Sequence, residues 1–192
     1  SPEPHIHFQA QNLPVFGTKT VSLPLSYFIE NNDSSLELKI NEIPNENTYI
    51  SNVEELSLLI NAFDFKPNNH LKIINEKTKV SEVFQIHTNQ WNQLYFSCEK
   101  TDTKLYFKND GVLFTFEKFE GNQKSSLFEF YKSCYSILLG YYPTIAVDYF
   151  MPNYLFTYFG LQIFNDILAP IYNFINIEYS SKAVKIDNLI NL

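Results

Sequence analysis

WNQLYFSCEKTDTKLYFKNDGVLFTFE, residues 91–117, decides the fold class. Leu94, Phe96 and Cys98 alternate with Gln93, Tyr95 and Ser97, the period-two pattern of a strand with one buried face. After the polar break Glu99, Lys100, Thr101 and Asp102, the alternation resumes: Leu105 and Phe107 fall between Lys104, Tyr106 and Lys108. Asn109, Asp110 and Gly111 then supply residues that accept positive φ in a short hairpin turn. Val112, Phe114 and Phe116 carry the apolar face onward. Three successive antiparallel strands are expected here.

The same pattern extends outward. Residues 70–74 and 83–86 read as strands, and Leu36, Leu38 and Ile40 alternate with Glu37, Lys39 and Asn41 in another. Pro24 demotes residues 21–28 to an edge strand or to two short ones, and Glu30 to Ser35 is a turn. Residues 49–53 fit a short strand. Residues 54–65 fit either a helix with the stripe Leu56, Leu59, Ile60 and Phe63, or a bulged strand. Leu127, Phe130, Tyr131, Cys134 and Leu138 have helical spacing, while residues 137–142 also suit a strand ending at Gly140. The aromatic run 154–164, broken by Gly160, reads as a strand entering the core, and Pro170 can open a short helix. Residues 1–16 read as an extended lead-in. Neither a repeat nor a low-complexity linker interrupts the chain, so one β-sandwich domain over 1–192 is expected, whole or as a segment of a longer protein.

Composition agrees with a sheet protein. Aromatics make up 17%, with 18 Phe and 13 Tyr against one Met, which suits wide flat packing surfaces better than a leucine-rich bundle. The net charge is −7, and all 14 basic residues are lysine. Nucleic-acid binding is disfavoured, because phosphate and base-edge recognition leans on arginine and basic runs. The most apolar stretch, 152–179, is interrupted by Gln162, Asn165, Asp166, Pro170, Asn173 and Asn176, so no spanning helix is expected. The chain starts at Ser1 with no cationic-then-apolar leader, as expected after removal of a targeting peptide or for a segment of a longer chain.

Three stretches resemble the concanavalin A-like superfamily, in its laminin-G and pentraxin branch. Trp91 followed by Leu105 to Gly111 is similar to that family's tryptophan strand and hairpin. Residues 137–140 are similar to its Ile-x-Leu-Gly strand, and residues 159–168 to a shortened version of its closing segment. The similarity covers roughly residues 90–170; the extra residue before Gly111 and the helical spacing of 127–138 depart from it. The resemblance implies a mainly β antiparallel sandwich of jelly-roll type with one or two short helices, and calcium as the commonest ion. By composition Asp102, Asn109, Asp110, Asn165 and Asp166 are calcium candidates, although turn formation alone also accounts for them.

Chemistry-bearing patterns are few. The carboxylate spacing of concanavalin A-like glycosidases is missing, as are a Gly-x-Ser-x-Gly elbow, a Walker loop, a dinucleotide glycine fingerprint and a Cys-x-x-Cys pair. A noncatalytic role is expected. His5 and His7 would share one strand face, a spacing that surface histidines also adopt. Cys98 and Cys134 are either two buried thiols or a disulfide contributing about 4 kcal/mol. Asn32, in Asn-Asp-Ser, is a glycosylation candidate. Tyr95, Tyr106, Tyr141 and Tyr142 are candidates for outward rings that anchor a protein interface or stack on a glycan.

These readings favour a module making protein or glycan contacts in a cell-surface or extracellular assembly. The alternatives are a calcium-dependent lectin and a lineage-specific structural subunit of a large organellar complex, for instance in the mitochondrion.

Overall fold

The computed structural model describes residues 10–15, 17–32, 35–74, 79–98, 100–150, 163, 178–181, 184–186 and 189–191, with 148–150 and 178 onward described by backbone alone. The protein is mainly β, with antiparallel sheets and two short helices among the described elements. The chain divides into two compact units, Ser1–Val53 and Glu54–Leu192.

In the first unit β1 (Ala10–Gln11) pairs with β2 (Thr20–Val21). Strand β3 (Leu25–Asn31) lies between β4 (Leu36–Glu42) and β5 (Tyr49–Ser51). Pro24, which has no N–H to donate to a ladder, falls in the gap between β2 and β3. Glu30 sits on the central strand with 1% of its surface exposed. Its carboxylate accepts from Asn45 Nδ2 at 2.9 Å and Asn32 Nδ2 at 3.3 Å. The Asn45 hydrogen bond is the main influence holding its pKa below the ordinary carboxylate value. A buried charge is tolerable on these terms, because its oxygens are bonded.

The second unit opens with α1 (Ser57–Ala62), which settles the ambiguity of residues 54–65 in favour of a helix. It continues through β6 (His70–Ile74), β7 (Ser81–Thr88), β8 (Leu94–Cys98), β9 (Thr103–Asn109), β10 (Leu113–Glu120), α2 (Ser126–Ser133) and β11 (Ser136–Leu138). The six strands form one antiparallel sheet in chain order. Two further pairs follow: β12 (Val147–Phe150) with β13 (Glu178–Ser181), and β14 (Val184–Ile186) with β15 (Leu189–Asn191).

Alternation puts Phe84 and Ile86, Phe96, Leu105 and Phe107, and Phe114 and Phe116 on one face of this sheet, all with at most 2% of their surface exposed. Leu59 and Phe63 from α1 and Leu127, Phe128 and Tyr131 from α2 complete the same core. Each such side chain, fully buried, contributes about 1.5–3 kcal/mol. Helix α2 touches both β6, at one edge, and β9 and β10, further across, so the sheet curls around it. That curl is consistent with a β-sandwich. Ser125 caps α2 by accepting from Phe128 N at 3.3 Å. Both the Ser126 N–H (2.7 Å) and its hydroxyl donate to the Glu82 carboxylate, tying the helix to β7.

A β-bulge changes the phase of β10. Phe116 faces Phe107 but Lys118, not Glu117, faces Tyr106, leaving Glu117 as the extra residue. Phe119 therefore joins the core and Lys118 turns to the other face; an unbulged strand would reverse the two.

Several expectations change in detail. Val112 lies in the β9–β10 turn, not in the strand. Of Asn109, Asp110 and Gly111, Gly111 alone has positive φ, at 90°. Asn109 Oδ1 instead accepts from Gly111 N (2.9 Å), and Asp110 Oδ1 accepts from Val112 N (3.1 Å) and Leu113 N (2.8 Å). Trp91 does not open a strand. It lies in the β7–β8 turn, 75% exposed, because Asn89 Oδ1 accepts from both Trp91 N and Gln93 N and folds the chain back there. The helical spacing and the strand of the 127–142 stretch both hold, in succession, as α2 and β11. Of the run 154–164, Ile163 is helical and exposed rather than in a buried strand. Its other residues lie outside the described set, as do Pro170, His5 and His7.

Candidate functional site

The face of the six-stranded sheet turned away from the core is ordered in rows, because directly opposed residues share a face. One row crosses four strands: His87 on β7 faces Tyr95 on β8, Tyr95 faces Tyr106 on β9, and Tyr106 faces Lys118 on β10. The next row runs His70, Gln85, Ser97, Lys104 and Glu120. An aromatic strip thus lies beside a strip of amide, hydroxyl, imidazole and charged groups.

The rings of the first row lie against one another. The His87 and Tyr95 rings are stacked, with centroids 5.5 Å apart at 28°, and those of Tyr95 and Tyr106 are tilted, with centroids 5.2 Å apart at 33°. Tyr95 has a ring on either side of it along the row. The ammonium of Lys104 lies 5.9 Å from the Tyr95 centroid, and that of Lys118 lies 6.0 Å from the Tyr106 centroid. Lys118 also bridges Glu120 at 2.5 Å. His87, Tyr95 and Tyr106 are half-buried, whereas Lys104, Lys108 and Lys118 are exposed. Tyr106 therefore stands among lysines: Lys104 and Lys108 two positions away on its own strand, and Lys118 opposite. Asp102 in the β8–β9 turn and Glu117 in the bulge mark the margins of this patch.

A concavity of about 620 Å³ opens beside the rows, lined by His70, Gln85, His87, Ser97, Lys100 and Thr101 among others. A second, of about 530 Å³, lies at the other side of β6 against α2, where Ile73, Ile74, Val80 and Phe130 meet Glu82 and Ser126.

The remaining candidates are dispersed. Asn109 and Asp110 use their side chains to brace the hairpin, and Asn109 Nδ2 also donates to Phe63 O at 3.2 Å. Asp102 holds a turn with φ of 45°. Asn165 and Asp166 lie outside the described residues. Among the described residues no three His, Cys, Asp or Glu side chains converge as metal ligands do. Cys98 and Cys134 are free thiols, both packed against the core, and burial pushes the Cys134 thiol up to about 11. Asn32 gives its amide to Glu30. Tyr142 lies away from the rows, accepting from Glu54 N at 2.7 Å through its hydroxyl, and Tyr141 is half-buried next to it.

His87 and Lys118 belong to the face but escape a reading of the sequence. Lys118 falls on the core phase of its strand until the bulge is known, and His87 joins the tyrosines only once the β7–β8 register is fixed. Comparison with protein-family models, with curated proteins and with solved structures finds no match. The site accordingly stands on its own residues and their geometry.

Proposed function

We propose that the chain is a noncatalytic binding module that holds a protein partner on the outer face of its six-stranded sheet, within a cell-surface or extracellular assembly. The observation that supports this is the row His87, Tyr95, Tyr106 and Lys118, prearranged by strand register and mutual ring contacts. Rings already held in place lose little conformational freedom on binding, which is what makes tyrosine an effective interface anchor. The same contacts favour a protein over a glycan. A sugar needs an open ring face, and the faces of Tyr95 are shared with its neighbours. The extracellular placement rests on the Asn32 sequon alone.

Peptide display and glycan arrays test the reading, using the native protein beside a Tyr95→Ala/Tyr106→Ala variant of matched fold by circular dichroism. The proposal expects peptide sequences enriched by the native face and lost with the variant. Equal enrichment by both proteins, or hits confined to glycans, would refute it.

A further inference from the structure

The lysines around Tyr106 identify the kind of partner. We propose that the outer face receives an acidic polypeptide segment, whose carboxylates sit among Lys104, Lys108 and Lys118 with the Tyr106 phenol between them; the inference rests on the binding role proposed above.

Three observations carry it. First, Lys104, Lys108 and Lys118 surround one half-buried phenol; Glu120 bridges Lys118, and Asp102 and Glu117 stand at the margins. Electrostatic complementarity of this sort sets partner choice and encounter rate. This clustering of lysines stands on a chain whose net charge is −7, so it is not a general property of the surface. Second, the phenols of Tyr95 and Tyr106 bring hydroxyl groups that can donate to a carboxylate, beside the ammonium groups of Lys104 and Lys118. Third, the face is unsuited to other polyanions. Sugar rings and nucleobases stack on open aromatic faces, and the Tyr95 ring has His87 and Tyr106 against it along the row and the Lys104 ammonium near it. The chain also has no arginine for bidentate phosphate contacts. An acidic peptide needs no such fork, because separate point charges hold its carboxylates.

The test is fluorescence anisotropy with a short labelled Asp/Glu-rich peptide, its Asn/Gln counterpart, a sulfated oligosaccharide and a single-stranded oligonucleotide. The acidic peptide should bind, and binding should weaken as salt rises. Lys104→Glu/Lys118→Glu should lower its affinity by about tenfold or more, as charge reversal at an interface does. Lys108→Glu should weaken it too, which covers the case in which the double variant loses its fold. Lys124→Glu, outside the rows, should leave binding unchanged. Equal binding of the Asn/Gln peptide, tighter lysine-dependent binding of the oligosaccharide or oligonucleotide, self-association in place of peptide binding, or no binding would each overturn the proposal. Neutral peptides enriched by display, and lost in the tyrosine variant, would defeat the acidic partner while leaving the outer-face role standing.

Discussion

Two glycines with positive φ make a controlled pair, and the comparison tests how tightly the sheet is closed at the end of β10. Gly111 (φ +90°) has nothing within 4 Å of where a Cβ would stand. Gly121 (φ +109°) would place a Cβ 2.0 Å from the Asp102 carbonyl oxygen and 2.9 Å from Thr103 Cα, both backbone atoms that cannot rotate away. Gly111→Ala should cost only the backbone strain, about 1–2 kcal/mol. Gly121→Ala should add the work of pushing the β8–β9 turn away from β10, comparable to overpacking a core at about 1–3 kcal/mol, for a total of about 2–5 kcal/mol. Urea unfolding followed by circular dichroism measures both, with the midpoint falling further for Gly121→Ala at an unchanged denaturant slope. Equal losses for the two variants would mean that the close approach of Gly121 to Asp102 does not exist as described.

The core, the helix cap and the buried thiol give further expectations. Phe116→Ala removes a ring that meets Phe114, Phe130 and Tyr131 at centroid distances of 5.0, 5.1 and 6.0 Å, and should cost about 3–5 kcal/mol in the same unfolding assay. Ser125→Ala removes the α2 cap and should cost about 1 kcal/mol, with Ser125→Asp restoring most of it. Cys134 is neutral in the fold up to about pH 11 but ionises near its ordinary 9.0 when unfolded. The folded state then holds the extra proton, so stability should fall as pH rises from about 9 to about 11, by about 2 kcal/mol, and Cys134→Ala should flatten that decline. Unfolding melts at alkaline pH on both proteins check it.

Much of the sheet was legible because its strands, up to the bulge in β10, obey period two. Leu94, Phe96, Leu105, Phe107, Phe114 and Phe116 mark the core face in the sequence, and in the structure all but the partly buried Leu94 are buried there. What was hidden depends on long-range pairing. The bulge at Glu117 is a local event with no distinctive residue type, yet it decides that Phe119 is core and Lys118 is surface. Residues 54–65 stayed ambiguous because Leu56, Leu59, Ile60 and Phe63 fit a helical stripe while Leu58, Ile60 and Ala62 fit one face of a strand; the helix wins where Leu59 and Phe63 reach the same core as the sheet. The family resemblance places Trp91 in a strand, while the side chain of Asn89 makes the turn that exposes it. Of the site, Tyr95 and Tyr106 could be named from alternation alone. Their ring contacts, and Lys118 opposite Tyr106, follow from registers that no single strand reveals.

The binding role turns on one surface, and amide chemical-shift mapping of the isotope-labelled protein with the acidic peptide examines it most directly. The account predicts perturbations along residues 85–87, 95–97, 104–108 and 118–120, the two rows of the outer face. Shifts gathered instead around Ile73, Phe130 and Ser133, in the groove between β6 and α2, would contradict it.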